Sequence, residues 1–314
     1  MSLVFNLDVV VEDENPEVTL AQILNVPDFV EKYLDIDTKL CLRATCTIIR
    51  EIINKKQLYI DCLNYKCNGK IIEISTNRGF NVSYEIIKKG LIVKYWNKEK
   101  VINTNNDEEN VERIQRDLMS ILCSEKLRID TFGIEDNVTT EYHHEPHIGM
   151  IVLKNTLNQV PNKLKIKSLE YFVEELDEVL LETLKTIDPE NLEFLKLRVT
   201  PFMYNCTPIW RDVYNLEQWK RLKTIDVRFP QLKVPHITRF FTHVENVHLK
   251  TDYFNGFIDC GPVHHFVMEL IDKLLENSTL KQLKIRVDEA MSDTDFEDIN
   301  ESLQQYNTSN VPYP

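Results

Sequence analysis

The sequence predicts an α/β protein in three parts: three short N-terminal helices, a short β meander, and an irregular αβ solenoid with parallel strands. Three observations carry this. Apolar residues between 23 and 57 recur at helical spacing, and those between 58 and 105 alternate with a period of two. Beyond residue 127 one six-residue apolar pattern returns six times.

Composition narrows the function classes. The 314 residues suffice for one large or two modest domains, and 43% hydrophobic with 28% charged content is ordinary for a soluble globular protein. Seven glycines argue against Gly-rich phosphate loops, and the net charge of -13 argues against nucleic-acid binding, which needs excess Lys and Arg. The seven cysteines form no CxxC pair and no zinc pattern, so free thiols in a reducing compartment are expected. The first residues contain Asp8 and no basic flank, so a signal peptide is not expected, and no apolar run reaches the length of a membrane span.

In order, residues 1–22 form an acidic leader. Residues 23–57 follow with Pro27 suited to a first helical position, then Phe29, Val30, Tyr33 and Leu34 at helical spacing. Asp35 and Asp37 can cap a second helix bearing Leu40 and Leu42. After Cys46, Ile48, Ile49, Ile52 and Ile53 mark a third. Residues 58–105 hold four strand-like runs, with Asn68-Gly69 and Lys89-Gly90 as turns. A helix follows an acidic loop, with Val111, Ile114, Leu118, Ile121 and Leu122 as its buried stripe.

The repeat occupies residues 106–291 with that helix. Its apolar triplets are Ile129, Phe132, Ile134; Ile166, Leu169, Tyr171; Leu192, Leu195, Leu197; Leu222, Ile225, Val227; Val244, Val247, Leu249; and Leu280, Leu283, Ile285. Their spacing lies within or above the range of leucine-rich repeats, and helix-like stripes fall between them: Leu176, Val179, Leu180 and Leu184; residues 235–241; and Val263, Phe266, Leu270, Ile271, Leu274 and Leu275. Such units bury their apolar sides by stacking. A non-repetitive α/β domain is the alternative. Residues 292–314 read as an acidic capping helix and a disordered tail.

No motif for nucleotide, metal or nucleophilic chemistry is present, and the string His143-His144-Glu145-Pro146-His147 reads as a solvated loop. No active site and no cofactor are therefore expected. Residues between the apolar positions share the exposed strand face. Phe194, Lys196, Arg198, Arg228, His248, Lys250, Lys284 and Arg286 would give it a basic stripe that steers an acidic protein partner, although an ordinary charged solvent face is the competing reading. RNA is a weaker competitor, because aromatics are not interleaved there apart from Phe194.

Val26-Pro27, Phe29-Val30, Leu34-Asp35, Leu40 and Leu42-Arg43, Cys46 and Ile49-Arg50 together resemble an F-box. Val26 replaces the usual Leu, and Thr47 stands where a basic residue is common. The resemblance implies that Val26, Pro27, Phe29, Val30, Leu34, Leu40, Leu42 and Ile49 dock on a Skp-family adaptor and through it a cullin. Residues 103–290 also resemble the nematode-expanded F-box-associated domain of FTH type. Ile187 to Glu193 followed by Phe194 to Leu197 is similar to that family's Asp-Pro-x-x-Leu-Glu element, and Lys94-Tyr95 matches its preceding strand; the likeness is loose after Thr200. It implies a non-catalytic, cytoplasmic or nuclear receptor that recruits a protein for ubiquitination and degradation. The alternative is a scaffold that sequesters its ligand, for example as a toxin antidote.

Overall fold

The computed structural model describes residues 19–95, 98–137, 148–173, 178–199, 207–228, 241–251 and 279–287. Contacts divide the chain into two compact units: Met1–Lys167 with Thr186–Asp188, and Ser168–Lys185 with Pro189–Pro314. The sequence boundary at 105/106 falls inside the first unit.

Four short helices open the first unit, where three were expected: α1 (Leu20–Leu24), α2 (Phe29–Tyr33), α3 (Ile36–Thr45) and α4 (Thr47–Asn54). The extra helix starts inside the expected leader because Thr19 and Gln22 form a capping box: the Thr19 N–H donates to Gln22 Oε1 at 2.7 Å, and Thr19 Oγ1 accepts from the Gln22 N–H. Pro27 lies in the turn before α2 rather than at its first position, and Asp28 enters α2 in the left-handed region at φ 59°. Asp35 caps α3 as expected, accepting from the Thr38 N–H at 2.7 Å, and this hydrogen bond holds its carboxyl below the ordinary range. Leu24, Val30, Ile49 and Ile53 form the core of the group, with Phe29, Leu34, Leu42 and Ile52 packed against it.

The meander has five strands, one more than expected: β1 (Leu58–Asn68), β2 (Ile71–Thr76), β3 (Asn81–Ile87), β4 (Gly90–Tyr95) and β5 (Lys98–Asn103), each antiparallel to the next. Gly69 turns β1 into β2 at φ 58°, where a side chain would be strained. β6 (Leu127–Asp136), the first apolar copy, pairs in parallel with β1, setting Leu63 beside Phe132 and Tyr65 beside Ile134. The order in this unit is therefore β6-β1-β2-β3-β4-β5.

α5 (Asp107–Leu122) is the expected helix. Asn106 caps it at 2.9 Å, acids fill its first turn, and Ile114, Leu118, Ile121 and Leu122 are buried. α6 (Ile148–Gln159) was not expected; Met150, Val152, Leu153, Thr156 and Leu157 are all buried, so its sequence lacks a clear polar face. It lies tight on the sheet: the Tyr65 hydroxyl donates to the Gly149 carbonyl at 2.5 Å, and a Cβ at Gly149 would stand 2.6 Å from Cys67 Cβ.

The second unit holds Ser168 onward of β7 (Lys165–Val173), then α7 (Glu178–Thr186), β8 (Phe194–Val199), α8 (Thr207–Asn215), α9 (Glu217–Lys220), β9 (Thr224–Arg228), β10 (Asn246–Thr251) and β11 (Gln282–Val287). These five strands are all parallel and follow sequence order. Parallel neighbours need a crossover, which α7 supplies between β7 and β8, and α8 with α9 between β8 and β9. Leu169, Leu195, Ile225, Val247 and Leu283 stand in one register row, and Tyr171, Leu197, Val227, Leu249 and Ile285 in another. All are buried through Val247, and the last three are half-buried. Trp219 anchors the core between Tyr214 and Phe241, with ring centroids 5.0 and 5.6 Å away. The helices expected over 263–275 and 292–314, and most of that at 235–241, lie outside the described residues.

Replacing Gly149 with Ala should destabilise the first unit by about 1–3 kcal/mol, because the new methyl meets Cys67. A urea midpoint that does not move would show that α6 sits less tightly than this.

Candidate functional site

Two surfaces follow from these elements, one in each unit. On the N-terminal helices the eight residues singled out from the sequence separate by burial. Val26 and Pro27 are exposed, Phe29, Leu34 and Leu42 are half-buried, and Val30, Leu40 and Ile49 are buried within the chain. Val30 and Ile49 belong to the core that holds the helices together, and Leu40 is buried as well, so none of the three faces solvent. The exposed apolar side chains are instead Leu20, Ile23, Val26, Tyr33 at 74% and Ile48 at 65%. Ile48 was expected in the buried stripe of α4, but Ile49 and Ile53 set that stripe, which turns Ile48 outward.

Arg43 fastens this helical group to the rest of the unit. Its Nη2 donates to the Ser120 carbonyl in the last turn of α5, where a cation suits the helix dipole. Only 3% of the residue is exposed, and Nε and Nη1 have no acceptor. Burial, then the charge of Arg50, pulls its pKa down from 12.5 to about 10. A second tie joins Cys41 Sγ to the Tyr95 hydroxyl at 2.7 Å.

The second surface is the strand face opposite the buried rows of β7–β11. Parallel register sorts its residues by position. Phe194, Thr224, Asn246 and Gln282 make a neutral row, with Asn246 donating to Thr224 at 3.1 Å. Glu170, Lys196, Asp226, His248 and Lys284 make a mixed row, in which Lys196 pairs with Glu170 at 3.2 Å and His248 Nε2 lies 3.1 Å from Gln282 Oε1. The last row, near the C-terminal strand ends, runs Phe172, Arg198, Arg228, Lys250, Arg286. The Arg198 guanidinium sits 4.9 Å from the Phe172 ring centroid and Lys196 Nζ 5.3 Å from it. The basic stripe expected from the sequence thus divides by row: acids share the middle row, and the row through Arg198 carries four cations. Just before the strands a further row alternates in sign: Lys223 pairs with Glu193 at 2.6 Å and Lys281 with Glu245 at 2.9 Å. Sequence reasoning missed Glu170 and Phe172, which the second apolar copy places one strand before Lys196 and Arg198.

Among the described residues no group of three His, Cys, Asp or Glu side chains could hold a metal ion, and no helix is long and apolar enough to cross a membrane. The string at 143–147 lies outside them. The family model of the FTH domain matches residues 150–306, half of the chain, starting within α6 and running past β11. It begins later than the resemblance at 103–290. No curated protein matches the chain.

Two measurements check the electrostatics. Arg43→Met removes a buried guanidinium with two unpaired nitrogens and loses one hydrogen bond; stability should rise by about 1–2 kcal/mol in urea titrations at neutral pH. A fall would mean that the bond to α5 outweighs the buried charge. His243 lies with Nε2 2.7 Å from the Trp219 carbonyl, and burial holds its pKa below 6.5. The unfolded chain then takes up the proton first, so stability is full above pH 6.5 and declines as pH drops through the window beneath it. His243→Gln should flatten that part of the stability profile.

Proposed function

We propose a receptor role for this chain, which belongs to the FTH domain family: it is the substrate-recognition subunit of a Skp-cullin-F-box ubiquitin ligase. The observation that carries the reading is an FTH domain preceded in the same chain by a helical group that displays apolar side chains. Exposed Ile23, Val26, Tyr33 and Ile48 favour burial against a Skp-family adaptor, each worth about 1–3 kcal/mol when covered.

The face of β8–β11 then holds the substrate protein, and the cationic row steers one with an acidic surface. The mechanism is proximity. Binding keeps a substrate lysine near the charged ubiquitin carrier and raises its effective concentration, while the chain itself makes and breaks no bonds. The working compartment is the cytoplasm or nucleus. The second reading, a scaffold that neutralises its ligand without degradation, uses the same strand face and does not require the helical group.

The test is co-expression with a Skp-family adaptor followed by size-exclusion chromatography. The natural chain should co-elute with the adaptor, and Val26→Asp combined with Ile48→Asp should abolish co-elution while leaving thermal unfolding unchanged, since both side chains are exposed. Undiminished co-elution of the double variant would remove the ligase reading. Ligand levels that do not respond to proteasome inhibition would favour sequestration.

A further inference from the structure

Independently of the receptor reading, we infer that the outer edge of β5 is a self-pairing surface: two copies of this chain join antiparallel along it, with Val101 on the two-fold axis. β5 ends the strand order beyond β4, and among the described residues nothing pairs with its far side. Residues 98–103 take part in no hydrogen bond, ion pair or ring contact besides the ladder to β4. Five of the six are exposed, and Ile102 is half-buried. Val101 is 55% exposed, although free strand edges are ordinarily kept charged or covered.

The backbone decides which residues reach a partner. The Thr104 N–H donates to the Lys89 carbonyl at 3.4 Å, and the register carries on from Gly90 with Asn103 to Tyr95 with Lys98. Bonded and non-bonded pairs alternate along an antiparallel ladder. Lys98, Lys100 and Ile102 therefore turn their N–H and C=O groups toward β4, and Glu99, Val101 and Asn103 turn theirs to the free edge. A two-fold axis at Val101 makes bonded pairs of Val101 with its counterpart and of Glu99 with Asn103 of the second copy, so every outward group is used. Charge selects this register. An axis at Glu99 would set Glu99 against itself and Lys98 against Lys100, and an axis at Lys100 would set Lys100 against itself; like charges directly opposite repel. With the axis at Val101, Lys100 faces Ile102 and Lys98 faces Thr104. The side chains agree. Ile71, Glu85, Ile92 and Val101 form one row across β2–β5, on the face opposite buried Tyr84 and Ile86. Pairing extends its end into Ile92, Val101, Val101 and Ile92, a run of β-branched side chains suited to adjacent strands. That charge and apolar order complement themselves about one axis favours a second copy over a foreign strand.

One strand edge buries less than the ~1,200 Å² of stable interfaces, so the dimer should be weak. Sedimentation of the full chain should pass from monomer to dimer as concentration rises through the micromolar range. Val101→Lys sets two cations face to face on the axis and should weaken self-association about tenfold or more, with thermal unfolding unchanged because the side chain is exposed. Cysteine variants report the register. Mild oxidation should cross-link Val101→Cys to its counterpart, since opposite residues of a bonded pair have Cα atoms about 5.5 Å apart, within disulfide reach. Asn103→Cys, off the axis, should give no more cross-linked dimer than the natural chain, whose Cys46 is exposed. Equal cross-linking of the two variants, or a dimer indifferent to Val101→Lys, overturns the inference. So does a natural chain that stays monomeric, which leaves the edge to a foreign strand, or a dimer lost on Val26→Asp with Ile48→Asp, which moves the contact to the helical group. Adaptor co-elution is read separately, so the ligase reading stands or falls on its own.

Discussion

The in-register parallel pairing of β7–β11 is the constraint on which the second unit depends. A strand directs alternate side chains to opposite faces, and parallel register carries that alternation unchanged from one strand to the next. One choice of register therefore sets both the buried rows through Leu195 and Leu197 and the cationic row through Arg198. A slip by one residue would put arginines into the core. The burial of Leu195, Ile225 and Val247 is what prevents it, at about 25 cal/mol for each Å² of apolar surface removed from water.

Much of this was legible in the sequence because the last two apolar positions of each triplet fall two residues apart within a strand. All six triplets lie at strands β6–β11, and Asp35, Asn106 with the acids after it, and the Asn68-Gly69 turn each act locally as their chemistry dictates. What escaped was of two kinds. α6 places apolar Ile151 on its exposed side and polar Thr156 on its buried one, which blurs the helical period, and its place is set by packing on Tyr65 and Cys67. α1 is five residues long, and its one signal, Thr19 with Gln22, is a capping box read only by looking for it.

The candidate surfaces were legible in type more than in detail. The motif around Val26 to Arg50 points to the helical group, but burial assigns Val30 and Ile49 to its interior, buries Leu40 and leaves Ile23, Tyr33 and Ile48 outside. Periodicity alone cannot separate these in helices of five to ten residues, because a cluster with several small helices has more than one apolar side. Likewise the sequence shows many Lys and Arg between the apolar positions. Only strand register reveals that Lys196, His248 and Lys284 share a row with Glu170 and Asp226, whereas Arg198, Arg228, Lys250 and Arg286 stand level with Phe172.

The alternation within each strand also separates what must be kept from what is free to change. Positions 195 and 197 face the core, whereas 196 and 198 lie on the opposite face, and the same parity holds in β9, β10 and β11. Arg198 and Arg286 are exposed, and substitutions at exposed positions usually change stability by within about 0.5 kcal/mol, so these two can be exchanged at little cost to folding, whereas 195 and 197 cannot.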